Sequence, residues 1–179
     1  MARVLIPLPS TDFDPTEAAV PWKLLREAGH EVRFATPDGR AAACDPIMLT
    51  GAGLGPLRWV LQAAPVAVAA YQQMSQDPAF LAPLRWGEAL ARGDHDALLL
   101  PGGHAQGMKP YLASVEVQEL ALQALDQDKP LAAICHGVIP VARAARPDGR
   151  SALHGLKTTA LLRSQELAAW NLTRLWMGD

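Results

Sequence analysis

Short apolar segments alternate with helix-like segments along most of the chain, and this alternation constrains the fold more than any other feature. The segments typical of strands are residues 4–6, 31–35, 97–100, 131–134 and 156–160. Helical patterns separate most of them, the later ones at residues 115–127, 138–145 and 164–177. Strands that alternate with helices pair in parallel and are covered on both faces. The sequence therefore predicts an α/β fold with a doubly wound parallel sheet.

The first helix carries both start and end signals. Asp14 is a typical N-cap, Pro15 suits the first helical position, and Gly29 suits the left-handed residue after the end. Glu17 stands three residues after the cap, where a carboxylate closes a capping box. It also follows the first strand, where it could project toward a site at the strand ends. The residues alone leave both interpretations open.

Residues 41–92 interrupt the alternation. They contain several Gly and Pro residues and no convincing strand, with helical patterns near residues 57–73 and 78–92. We interpret this stretch as a helical insertion within one domain that spans residues 1–179.

Composition and charge exclude several classes of protein. A net charge of −2 without a basic stripe argues against a nucleic-acid partner. The most apolar later stretch, residues 60–70, is broken by Gln62 and Pro65, so no membrane helix is expected. Two cysteines, Cys44 and Cys135, form neither a disulfide framework nor a metal-ligand set. We expect a cytoplasmic protein without a metal site.

The segment Ala133-Ile-Cys135-His-Gly137 has the pattern of a nucleophile elbow between a strand and a helix. Small flanking residues permit a sharp turn that raises the nucleophile above the sheet. A helix N-terminus at this point would favour the thiolate, which is the nucleophilic form. The alternative is that Cys135 is a small buried hydrophobic residue. Cys44 lacks such surroundings and is interpreted as structural.

Further candidate residues lie at the ends of neighbouring strands. His136 follows the cysteine, and its backbone N–H is a candidate oxyanion donor; its other interpretation is a capping or surface histidine. Gly102 and Gly103 follow the third strand, where they offer unhindered N–H groups or simply a tight turn. His104 is interpreted either as lining the pocket or, more simply, as a loop histidine. Ligands of such sheets bind beyond the carboxyl ends of the strands.

Taken together, these segments resemble the ThiJ/PfpI family of the class I glutamine amidotransferase-like superfamily. The segments that carry the resemblance are Glu17 in the first helix, residues 29–39, Pro101-Gly-Gly-His104 and residues 133–137. The insertion is similar to that of the larger chaperone- and glyoxalase-like branch. The resemblance implies a flavodoxin-like sheet, a homodimer, a reactive Cys135, an acidic Glu17, oxyanion donors at Gly103 and His136, and no need for a cofactor.

Family activities include glyoxalase III-type hydration of methylglyoxal, deglycation, amide or peptide hydrolysis, isonitrile hydration and holdase chaperoning. We expect a cysteine enzyme that acts on a small carbonyl compound, an α-oxoaldehyde. The alternatives are an amidase or peptidase acting on an amide substrate, and a stress-related holdase or redox sensor in which Cys135 is oxidised.

Two departures from the family pattern bear on these expectations. Residues 158–163 contain no acid for a catalytic triad, and Glu166 is off register. The histidine and glutamate that glutamine amidotransferases carry later in the chain are missing as well.

The closing segment is also rich in apolar residues: Leu167, Trp170, Leu172, Leu175 and Trp176. We expect either further residues beyond Asp179 or a partner subunit to cover that surface.

Overall fold

The computed structural model describes residues 1–55, 58–159, 162–165, 167–168 and 170–171. Five parallel strands form one sheet in the order β3-β2-β1-β4-β5. Their bounds are β1 Arg3–Pro7, β2 Glu31–Thr36, β3 Leu84–Arg85, β4 Ala97–Leu100 and β5 Leu131–Ala133. The order reverses at β1, and this is the topological switch point at which such folds place their sites. The predicted doubly wound α/β fold is confirmed.

The central strand β1 is apolar because both of its edges and both of its faces are covered. Val4 pairs with Val32 of β2 on one side and with Ala97 of β4 on the other. Leu5 and Ile6 are buried. A strand buried on both faces has a continuous apolar sequence rather than an alternating one.

Nine helices can be assigned among the described residues up to Arg143. They are α1 Pro15–Glu27, α2 Pro46–Thr50, α3 Arg58–Leu61, α4 Pro65–Met74, α5 Pro78–Leu81, α6 Trp86–Arg92, α7 Lys109–Ala113, α8 Val115–Asp126 and α9 Val138–Arg143. Helix α1 packs against α4, whereas α8 packs against α6, α9 and strands β4 and β5. Within the described ranges, no helix has the length and apolar character needed to cross a membrane.

Helix α1 begins and ends where the sequence predicts. Asp14 Oδ1 accepts hydrogen bonds from the N–H groups of Thr16 at 2.7 Å and Glu17 at 3.2 Å. Pro15 occupies the first turn, and Gly29 after the helix has a φ of 80°. The cap places Glu17 on the first turn, directly beyond the end of β1.

The prediction that residues 41–92 contain no strand is wrong. Leu84 and Arg85 form β3, which pairs with Ala35 and Thr36 at the edge of the sheet. The two long helices predicted there are also shorter in the structure. Pro65 and Pro78 each begin a new helix because proline lacks an N–H and is accommodated only in the first turn.

The strand predicted at residues 156–160 is not present at residues 156–159, where Leu156 is exposed. Residue 160 lies outside the described residues. Of the helix predicted at 164–177, residues 164–165, 167–168 and 170–171 are helical, with Leu167 and Trp170 exposed. Leu172, Leu175 and Trp176 lie outside the described residues.

An apolar trough of about 540 Å³ runs between α1 and the β1–β4–β5 part of the sheet. Leu24 and Leu25 of α1 form one wall, and Leu131 and Ala132 of β5 lie in the other. Leu24 is 59% exposed.

Gly137 provides a close contact between the end of β4 and the chain that follows β5. A Cβ atom there would lie 2.1 Å from the carbonyl oxygen of Leu100. Its φ of −58° is ordinary, so the requirement for glycine is steric rather than conformational.

We predict that Gly137→Ala lowers the free energy of unfolding by about 1–3 kcal/mol, the usual range for overpacking. Gly87 provides the matched control, since a Cβ there meets nothing within 4 Å and the residue lies in α6. Gly87→Ala should instead stabilise the protein by about 0.5–1 kcal/mol. Urea unfolding of both variants measures the difference, and equal effects would contradict the steric explanation.

His95 is a buried imidazole that stands between Asp94 and Asp96 in the loop before β4. It is 4% exposed, and neither ring nitrogen has a hydrogen-bond partner among the described residues. Burial lowers its pKa, and the charge of Lys129 lowers it further, against the opposing effect of Asp94 and Asp96.

Because the pKa of His95 is lower in the folded state, the unfolded chain binds more protons as pH falls. The contribution of neutral His95 to the free energy of unfolding should be fully present above pH ~6.5. Below that pH it should be lost progressively, with a slope of up to about 1.4 kcal/mol per pH unit. His95→Gln should flatten the pH dependence of unfolding between pH ~7 and ~5. Exposed His154→Gln should leave it unchanged; an equal slope in wild type and His95→Gln would refute this assignment.

Candidate active site

Cys135 stands on a sharp turn directly after β5. Its φ is 52°, a left-handed conformation that a residue with a side chain adopts at an energetic cost. The turn is a short 3₁₀ segment, Cys135–Gly137, that leads into α9. The N–H of Ile134 donates to the carbonyl of Leu100 at 2.9 Å, which fixes the elbow against the end of β4. The sharp turn predicted from the Ala133–Gly137 pattern is present.

Two hydrogen bonds with the backbone of Gly102 hold the start of α1, and with it Glu17, at the same edge of the sheet. The N–H of Asp14 donates to the carbonyl of Gly102 at 2.9 Å, and the N–H of Gly102 donates to Glu17 Oε2 at 2.7 Å. In a capping box, the glutamate would instead accept from the N–H of Asp14. The structure thus selects the interpretation in which Glu17 projects toward the strand ends.

Gly102 permits this arrangement through its lack of a side chain. A Cβ atom would lie 2.7 Å from the backbone nitrogen of His136 and 2.9 Å from Glu17 Oε2. The Gly102 N–H is committed to the carboxylate of Glu17. Gly103 is buried beside it.

Two imidazoles flank the Cys135 sulfur. His136 Nδ1 lies 3.5 Å from Sγ, and His104 Nε2 lies 3.7 Å from it. The two rings meet edge to face, with centroids 4.7 Å apart and an angle of 88° between their planes. The sequence favoured a loop role for His104. The sequence feature that could have predicted its position is the Gly-Gly turn after β4, which His104 follows directly.

Burial raises the pKa of Glu17, and the charge of Asp14 raises it further. The N–H of Gly102, a hydrogen bond with Cys135 and the charge of His104 act in the opposite direction. A carboxyl group with a raised pKa exchanges protons closer to neutral pH than an ordinary glutamate does.

The expected effect of the helix N-terminus, which favours a Cys135 thiolate, is outweighed by other groups around the sulfur. Partial desolvation of the sulfur and the nearby Glu17 carboxylate raise the pKa of Cys135 to about 12, although the side chain is exposed overall. The N–H of His136 donates to the sulfur and lowers the pKa, but it does not outweigh these effects. Helix α9 has only six residues and follows a 3₁₀ turn, so little helix dipole is aligned with the sulfur.

Tyr111 contributes to the site without any signal in the sequence. Its side chain is fully buried, and its hydroxyl has no hydrogen-bond partner among the described residues. Burial raises its pKa well above the usual value, and the charge of Glu17 adds to this effect. Tyr111 therefore lies near enough to Glu17 for the charge of that carboxyl to disfavour its ionisation.

Cys44 lies apart from this cluster. It is buried, its backbone N–H donates to the hydroxyl of Tyr71 at 3.4 Å, and burial raises its pKa to about 11. These surroundings agree with a structural role.

Comparison with solved structures shows which proteins share this fold. The Francisella tularensis Rapid Encystment Protein has a TM-score of 0.68 and 14% identity, with 99% of this chain and 77% of that chain covered. Glyoxalase III from Candida albicans has a TM-score of 0.60 and 20% identity, with coverages of 97% and 74%. Drosophila melanogaster DJ-1beta has a TM-score of 0.53 and 20% identity, with coverages of 80% and 60%.

Comparison of sequences identifies a curated relative and a family. An uncharacterized protein of Schizosaccharomyces pombe is 29% identical over 150 residues, which cover 80% of this chain. The match covers 55% of the relative's length. The profile described as ThiJ/PfpI family-like matches residues 8–175, nearly the whole chain. The elbow at Cys135, the acid at Glu17 and this match agree: the chain belongs to the ThiJ/PfpI-like family.

Proposed function

We propose that the protein is a cysteine-dependent enzyme that converts a small α-oxoaldehyde, such as methylglyoxal, into the corresponding 2-hydroxy acid. The observation that carries the proposal is the grouping of the Cys135 thiol, two imidazoles within 3.7 Å of it and a hydrogen-bonded Glu17 carboxyl with a raised pKa. This set contains a nucleophile and several groups able to move protons.

The first step is attack of the Cys135 sulfur on the aldehyde carbon. The S–C bond forms while the thiol proton passes to the Glu17 carboxylate, its hydrogen-bond partner. The carbonyl π electrons move to the aldehyde oxygen, which becomes an oxyanion. We assign its stabilisation to the N–H groups of Gly103 and His136. Return of the proton from Glu17 to this oxygen gives a hemithioacetal and restores the carboxylate.

The second step moves hydrogen between the two substrate carbons. A base, Glu17 or His136, removes the proton from the former aldehyde carbon and gives an enediol. Protonation of the neighbouring carbon, the former ketone, and loss of the proton from the hydroxyl on the sulfur-bearing carbon then leave a thioester to Cys135 and a new hydroxyl group. A carboxyl with a raised pKa suits this task, since it accepts and returns a proton at similar cost.

The third step is hydrolysis of the thioester. Water adds to the thioester carbonyl, the C–S bond breaks, and the Cys135 sulfur regains a proton as the hydroxy acid departs. Cys135 and His104 are exposed, so water and a small substrate reach the sulfur. The likeness in fold to glyoxalase III of Candida albicans supports this reaction class.

We predict that Cys135→Ala abolishes formation of lactate from methylglyoxal and that Glu17→Gln reduces it by about 10²–10⁴-fold. Glutamine keeps an oxygen able to accept from the N–H of Gly102, so the variant tests proton transfer rather than the fold. Chiral chromatography of the lactate formed provides the measurement.

Glu27 provides the matched control for this experiment. It lies on the same helix, is exposed and forms an ion pair with Lys23. Glu27→Gln should retain full activity. Absence of lactate in the folded wild-type protein would reject the proposal and favour amide hydrolysis or holdase activity instead.

A second prediction concerns the reactivity of the Cys135 thiol. Because the Glu17 charge raises the pKa of Cys135, Glu17→Gln should lower that pKa and speed alkylation of the thiol at pH ~8. Iodoacetamide labelling followed by peptide mass spectrometry measures the rates at Cys135 and at Cys44. The Cys44 rate should be unchanged in the variant. Slower labelling of Cys135 in Glu17→Gln would show that the shared proton rests on Glu17 and that the thiolate is the resting form.

A further inference from the structure

Three metal-ligating side chains converge at the elbow, although the sequence predicted no metal site. One ligand atom from each of His104, Cys135 and His136 lies within 4.8 Å of the other two. The set combines one sulfur and two imidazole nitrogens. Zn²⁺ takes these donor types in tetrahedral sites.

The distances agree with a common metal ion. With Zn–S near 2.3 Å and Zn–N near 2.0 Å, a tetrahedral angle separates sulfur from nitrogen by about 3.5 Å. The Cys135 sulfur lies 3.5 Å from His136 Nδ1 and 3.7 Å from His104 Nε2. The two S–N edges of a tetrahedron are therefore already in place. The third edge, between the two imidazole nitrogens, is no longer than 4.8 Å.

We propose that His104, Cys135 and His136 form a binding site for a Zn²⁺-class ion, with the fourth position open to water. Three protein ligands and one open position are typical of accessible zinc sites. The exposure of Cys135 and His104 provides the entry path. Binding replaces the thiol proton by the metal, so one proton leaves the sulfur for each ion bound.

Occupation of this site would regulate the proposed reaction. The sulfur lone pair that attacks the aldehyde is the one donated to the metal, so a bound ion blocks the nucleophile. This consequence rests on the proposed function, whereas metal binding itself does not. Binding can therefore be tested without any measurement of catalysis.

The test titrates tag-free protein with Co²⁺, which reports thiolate ligation through charge-transfer absorption in the near ultraviolet, and then displaces Co²⁺ with Zn²⁺. We expect one ion per chain and loss of the absorption in Cys135→Ser. We expect at least about tenfold weaker Zn²⁺ binding in His104→Gln and in His136→Gln. Circular dichroism establishes that each variant is folded.

Matched controls separate this site from incidental binding. His154→Gln removes an exposed histidine elsewhere, and Cys44→Ala removes the other thiol. Both should bind Zn²⁺ as the wild type does. Zn²⁺ should also slow iodoacetamide labelling of Cys135 without affecting Cys44.

Equal Zn²⁺ affinity in wild type and Cys135→Ser would overturn the proposal, as would wild-type protein that gives no thiolate-to-cobalt absorption. Zinc binding that persists in a protein without glyoxalase activity would refute the proposed function and leave the metal site standing. Activity that is unaffected by saturating Zn²⁺ would refute regulation of the reaction by this site and leave the proposed function standing.

Discussion

The site depends on the pair of hydrogen bonds that joins the start of α1 to the end of β4. The Asp14 N–H donates to the carbonyl of Gly102, and the Gly102 N–H donates to Glu17, which is 85 residues away in the chain. The same pair orients the helix and turns the carboxyl toward Cys135. A backbone contact that needs a residue without a Cβ thus serves both the fold and the chemistry.

Burial and charge act together on the two acidic groups of the site. Partial desolvation raises the pKa of both groups, and the charge of Glu17 raises the pKa of Cys135 further, whereas the hydrogen bond with Cys135 acts to lower the pKa of Glu17. The site therefore favours one negative charge shared by the carboxyl and the thiol over ionisation of both groups. The resulting proton exchange between carboxyl and thiol is the property on which the proposed reaction relies.

The sequence was sufficient wherever a local pattern determines the structure. Examples are the Asp14 cap, the apolar run of β1 and the small residues around Cys135. It was insufficient where distant contacts decide: β3 is only two residues long and exists because it pairs with the end of β2. Nor does any local rule distinguish a capping Glu17 from a projecting one, or bring His104 to the sulfur. The thiol pKa was mispredicted because the approach of Glu17 is tertiary and α9 is short.

The raised pKa of Cys135 also has a consequence for oxidative chemistry. Peroxide reacts with thiolates, and a thiol with a pKa of about 12 is almost entirely protonated at neutral pH. In the unfolded chain the same residue would ionise near pH ~8.5. Peroxide should therefore react more slowly with Cys135 in the folded protein than in the unfolded chain.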